Sequence, residues 1–229
     1  MKKNFAAASL FAAGILVAQA AAAQATVSIK WQGLDTSGIK LSTMDTTVSS
    51  TVPVTSNYAT SALNYTYTDT GKSFIAYCIE PVQGNGRANI ARTYNVDSFS
   101  GVQAQNLQGL FSTAYAGLST YNDKAAFQLA VWEMLLETGS TLDVTSGSFH
   151  VSITDGVSAQ IATEANSFLA NALAYKGPAL YALTKLTNPQ LQDLVTATPL
   201  SPVPEPESYA LFLGGLGIVG LLARRRMPR

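Results

Sequence analysis

The hydrophobic pattern of this chain changes period once, and that switch limits the fold more than any other feature. Over residues 26–31, 46–54, 63–69, 73–80 and 92–99 the apolar and β-branched residues form short runs. Turn chemistry divides them at Asp35-Thr36-Ser37-Gly38, Asp69-Thr70-Gly71-Lys72 and Gln83-Gly84-Asn85-Gly86. Runs of this kind read as strands. Beyond them the period lengthens: Leu107, Leu110, Phe111 and Ala114 recur at i, i+3, i+4 and i+7 over residues 102–118, which predicts an amphipathic helix. A second helix is expected over 122–137, capped by Asn122, and a third over 158–175, ended by Gly177-Pro178. Strands followed by helices predict an α+β domain: an antiparallel β-rich N-terminal half, then about three amphipathic helices.

Charge separates this domain from its flanks. The 229 residues carry 14 Lys+Arg and 14 Asp+Glu, a formal net charge of zero. Yet Lys2, Lys3, Arg224, Arg225, Arg226 and Arg229 all lie at the ends, so residues 26–200 keep 8 basic and 12 acidic residues, a net of −4. A sparsely charged, mildly acidic middle has no electrostatic footprint for nucleic acid. The basic ends border apolar runs. Residues 1–25 place Lys2-Lys3 before an apolar stretch and end in Ala23-Gln24-Ala25, the layout of a secretory signal peptide cut after Ala25 by signal peptidase.

At the other end, within residues 201–229, Val203-Pro204-Glu205-Pro206 leads into an uncharged stretch, 209–223, and then Arg224-Arg225-Arg226. Fifteen such residues make a helix of roughly 22 Å, short of a hydrocarbon core of about 30 Å. A C-terminal transmembrane helix is nonetheless expected there, reaching across by snorkelling arginines and local thinning, with the arginine cluster held on the cytoplasmic side. The Val-Pro-Glu-Pro segment, apolar stretch and arginine cluster resemble the PEP-CTERM sorting signal of Gram-negative bacteria that make exopolysaccharide. That resemblance implies processing near the Pro-Glu-Pro by a membrane enzyme, exosortase. The expected route is export, a precursor anchored at least transiently in the inner membrane, and then the cell surface or extracellular matrix.

The domain between the ends holds one cysteine, Cys78. It cannot form an internal disulfide, and an odd thiol in an exported protein needs a reason. Two readings are open, a small buried hydrophobe or a nucleophile. A second unusual residue lies on the second helix. On a wheel of about 100° per residue, Gln128 falls between Val131 and Leu135 and close to Trp132, whereas Glu133 and Glu137 fall on the opposite, solvated face. A buried primary amide is costly unless it finds partners, and a backbone edge without a ladder neighbour would supply them.

Three segments then stand in order: Tyr77-Cys78-Ile79-Glu80, Phe127-Gln128-Leu129-Ala130-Val131-Trp132 and Leu191-Gln192-Asp193-Leu194-Val195. Together they resemble the thioester domains of Gram-positive surface adhesins, with Phe127 standing where that family's middle motif has threonine. The likeness spans residues 74–195. It implies a bond between Cys78 and Gln192, supported by Gln128, Trp132 and Tyr77, and an amine-bearing surface target that opens it. The alternative is a non-catalytic carbohydrate-binding or structural protein of the exopolysaccharide matrix with an inert cysteine.

Other chemistry is poorly supported. His150 is the only histidine and has no clustered ligands for zinc. No Gly-x-Ser-x-Gly elbow, phosphate loop or dinucleotide fingerprint occurs. No enzyme activity, cofactor or metal is expected.

Overall fold

The computed structural model describes residues 24–35, 48–49, 53–54, 60–81 and 83–201, together with positions 213, 215 and 216. Nearly all of the expected signal peptide and of the sorting tail lies outside the described residues; of the signal peptide only Gln24 and Ala25 are described. Among the described residues the strands and α-helices follow in the order β1 (Thr26–Leu34), β2 (Val48–Ser49), β3 (Pro53–Val54), β4 (Leu63–Tyr67), β5 (Ser73–Cys78), β6 (Ala91–Asp97), α1 (Gly101–Ala114), α2 (Tyr121–Leu136), α3 (Gly156–Ala174), β7 (Tyr181–Asn188) and β8 (Leu191–Pro199). Six strands close into a barrel in the order β1-β4-β5-β8-β7-β6, with every neighbouring pair antiparallel. The pair β2-β3 forms a separate two-stranded ribbon where one longer strand was expected over 46–54.

This architecture corrects the expected fold in two respects. The sheet is not confined to the N-terminal half: the helices are an insertion between β6 and β7, and β7 and β8 return to close the barrel. Closure leaves these six strands without a free edge. The second correction concerns the transmembrane helix. Among the described residues no helix is long and apolar enough to cross a membrane. The apolar run before the arginines is short for the purpose, as its length of roughly 22 Å already implied.

Local chemistry explains most element ends. Strand β1 runs past Trp31 because Gly33, at φ +124°, takes up a bulge in its pairing with β4. Helix α2 is capped not by Asn122 but by Thr120: the Thr120 hydroxyl accepts from the Asp123 amide, and the Asp123 carboxylate accepts from the Thr120 amide. A matching box of Asp155 and Ser158 starts α3. Helices α1 and α3 cross closely at Gly109, where a Cβ would sit 2.4 Å from the Ala172 carbonyl oxygen.

Register divides the side chains into two groups. Leu63, Tyr65, Ala76, Cys78, Leu186 and Leu194 share the face that fills the barrel. Tyr77 and Val195 point the other way, and Tyr77 packs among Phe111, Tyr115 and Phe127 of the helical layer. Helix α2 is apolar nearly all round, and twelve of its residues are buried. It is an internal helix rather than an amphipathic surface one.

Candidate functional site

Strand β4 begins at Leu63, opposite Ala76, whereas β5 continues two residues further to Cys78. On its other side β5 still pairs with β8, with Cys78 opposite Leu194 and the Ile79 amide donating to the Asp193 carbonyl at 2.9 Å. The Cys78 N–H and C=O therefore face the β4 side with no strand beside them. Gln128 fills the gap. Its Oε1 accepts from the Cys78 amide at 2.9 Å, and its Nε2 donates to the Cys78 carbonyl at 2.7 Å. One side-chain amide thus stands in for the missing strand residue, and both backbone groups are satisfied at full burial.

The ends of β1 and β5 and the beginnings of β4 and β8 meet at one rim of the barrel. A cavity of about 300 Å³ opens there, and Trp31, Leu63, Cys78, Gln128, Trp132 and Gln192 are among its lining residues. Cys78 is 5 % exposed and Gln192 6 % exposed. Gln192 lies two residues before Leu194 on β8, so it shares the inward face and stands diagonal to Cys78. Such diagonal neighbours lie about 7–8 Å apart, within reach of a long side chain.

Burial pushes the Cys78 thiol up to about 12, partly offset by hydrogen bonds from the Glu80 backbone and the Trp132 side chain. The thiol is thus neutral over the ordinary pH range and has a nearby indole donor. Around Gln192 the contacts come from the loop after β5. Its amide donates to the Gly84 carbonyl at 3.1 Å, and its Nε2 donates to Asn85 Oδ1 in a short hydrogen bond. Asn85 Oδ1 also accepts from the Tyr65 hydroxyl at 2.8 Å.

Four of the five residues singled out from the sequence are thus gathered at one cavity: Cys78, Gln128, Trp132 and Gln192. Tyr77 is not among its lining residues; as the strand neighbour of Cys78 it turns to the opposite face. Asn85 and Tyr65 were not anticipated. The only available signal was the Gly84-Asn85-Gly86 turn, and strand Tyr65 looked like any other core aromatic.

Glu133 departs from the sequence reading. Instead of facing solvent it is fully buried, because the chain after α2 folds back over it. Its Oε1 accepts from the Asp143 amide at 2.6 Å. Burial first, then the charges of Glu137 and Asp143, raise its carboxyl to about 7. One turn on, Glu137 accepts from the amides of Gly139, Ser148 and Phe149 and holds the returning loop. Among the described residues no cluster of three or more His, Cys, Asp or Glu side chains could hold a metal.

Beyond the barrel, residues 202–226 match the model of the PEP-CTERM protein-sorting motif. The chain carries a PEP-CTERM sorting signal. Such a motif marks an exported protein, anchored at the membrane transiently and handled by signal peptidase and exosortase. No curated protein matches the chain. Among solved structures it is similar to the N-terminal domain of the Streptococcus pyogenes pilus tip adhesin Cpa, at 14 % identity and a TM-score of 0.42, over 71 % of this chain and 100 % of that one.

Proposed function

We propose that this exported PEP-CTERM protein is a covalent adhesin whose Cys78 and Gln192 close an internal thioester. The observation that carries the reading is the shared cavity at the barrel rim, with the thiol and the carboxamide on adjacent strands and the Cys78 backbone clamped by Gln128. In the closing step the Cys78 sulfur bonds to the Gln192 carboxamide carbon and the carbon–nitrogen bond breaks. The thiol proton leaves with the amide nitrogen as ammonia, so atoms and charge balance. The product is an acyl thioester. A surface amine would open it to an amide, returning the thiol, in one bond-forming event rather than repeated turnover.

The burial that raises the thiol also serves the product. A thiol held neutral needs its proton removed during attack, which slows closure, but the same exclusion of water slows hydrolysis of the thioester. The deciding measurement is the intact mass of the exported protein. A deficit of one ammonia, abolished in Cys78→Ala and in Gln192→Ala and replaced by a methylamine adduct on incubation with that amine, supports the thioester. Full calculated mass in the native protein would leave instead a matrix protein with an inert cysteine.

A further inference from the structure

We infer that Asn85 and Tyr65 are positioning residues that fix the Gln192 carboxamide for attack by Cys78 and hold the departing nitrogen, an inference that rests on the thioester reading above. The two residues come from different parts of the barrel. Tyr65 is an inward residue of β4, 2 % exposed, and Asn85 lies in the loop after β5. Asn85 Oδ1 receives both the Tyr65 hydroxyl and the Gln192 Nε2. The Tyr65 hydroxyl is also in hydrogen-bond contact with the Gln192 side chain and with Tyr94. The Gln192 amide group thus meets Asn85 and Tyr65 together, while its backbone N–H is held by Gly84.

The terminal torsion of a glutamine is broad and roughly two-fold, so an unrestrained carboxamide presents its carbon over a wide arc. Pinning the nitrogen end sets the plane of the group and therefore the face of the carbon that meets the sulfur. The Tyr65 hydroxyl can do this steadily: burial first, then Tyr94, raises it well above the ordinary tyrosine value, so it remains a donor to Asn85. When the carbon–nitrogen bond breaks, the ammonia finds the same Asn85 oxygen, next in the chain to the exposed Gly84.

None of these contacts is needed to clamp the Cys78 backbone, which depends on Gln128. The test is the rate at which exported full-length protein acquires the ammonia deficit after a short induction, with thermal unfolding as the control for folding. Asn85→Leu should slow closure on the order of 10²-fold, the loss that a misplacement of about 1 Å can produce. Tyr65→Phe, nearly isosteric, should slow it roughly 10-fold. Asn85→Asp keeps an acceptor for both donors and should restore closure, a rescue that a purely structural role would not produce. If the parent closes and Asn85→Leu and Tyr65→Phe close at its rate, the positioning role is overturned and the thioester stands. If the parent has full mass, both are overturned. Should Asn85→Leu fail to fold, the contrast of Tyr65→Phe with the parent decides.

Discussion

Gln128 and Glu133 sit five residues apart on α2, both fully buried, yet the helix handles them in opposite ways. Gln128 meets a fixed edge of the barrel, and both ends of its amide are used by the N–H and C=O of Cys78. Glu133 meets a loop, and only Oε1 is used; Oε2 is buried without a hydrogen-bond partner. A neutral donor–acceptor pair matches a backbone edge, which offers one acceptor and one donor. A carboxylate brings two acceptors and a charge to a place that supplies a single N–H, and it raises its own proton affinity instead. Burial of a polar side chain thus favours the native fold only when the partner's donors and acceptors match it in number.

A third inward polar residue of the same helix gives the largest way to test this contrast. Lys124 Nζ lies 2.7 Å from Asp35 Oδ2, with side chains only 10 % and 12 % exposed, and joins α2 to the end of β1. Lys124→Met leaves a carboxylate buried against an apolar neighbour and should cost about 3–5 kcal/mol, read as a shift of the denaturant midpoint. A loss below about 1 kcal/mol, the range of an exposed pair, would show that water reaches this ion pair. Next in size is Gln128→Leu. It strands two backbone groups of Cys78, each worth on the order of 1–3 kcal/mol when left unpaired. It should also abolish the ammonia deficit. An unchanged midpoint would mean that another group takes over the edge of β5.

How much of this was legible in the sequence follows from how local each cause is. The inward glutamine could be read, because its neighbours Val131, Trp132 and Leu135 lie on the same helix. The strand runs at β4, β5 and β6 and all three helices could be read for the same reason. Barrel closure could not, since the pairings of β1 with β6 and of β5 with β8 join segments far apart in the chain. Strand β7 was missed beside the Gly177-Pro178 stop, although Asn188 caps the following turn by accepting from the Gln190 and Leu191 amides. Glu133 was misplaced because a helical wheel contains nothing of the returning chain that covers it. The contacts of Asn85 and Tyr65 with Gln192 were beyond reach for a related reason: Asn85 and Tyr65 are ordinary in their own segments, and only the closed rim brings them to Gln192.

The smallest effect is the most specific to the mismatch at Glu133. In the unfolded chain its carboxyl titrates near 4.5, and in the fold it is raised to about 7. Between those values the native state binds the proton and the unfolded state has lost it, so Glu133 makes stability fall as pH rises through this window. Glu137, Asp143 and Asp155 are lowered by the hydrogen bonds they accept, chiefly from backbone amides, and Asp123 is lowered to about 2. They stabilise the fold above the ordinary carboxylate range and lose that contribution only at more acid pH, so they are constant across the window in question. Glu133→Gln keeps an acceptor for the Asp143 amide and cannot ionise. Burial and the charge of Asp123 also raise the Glu164 carboxyl, a decline common to both proteins, so the stability of the variant should fall less steeply than that of the parent from pH 4.5 to 7, leaving the variant the more stable of the two at pH 8. Parallel curves from urea titrations across this range would place the Glu133 carboxyl at its ordinary value and remove the asymmetry between the two buried residues of α2.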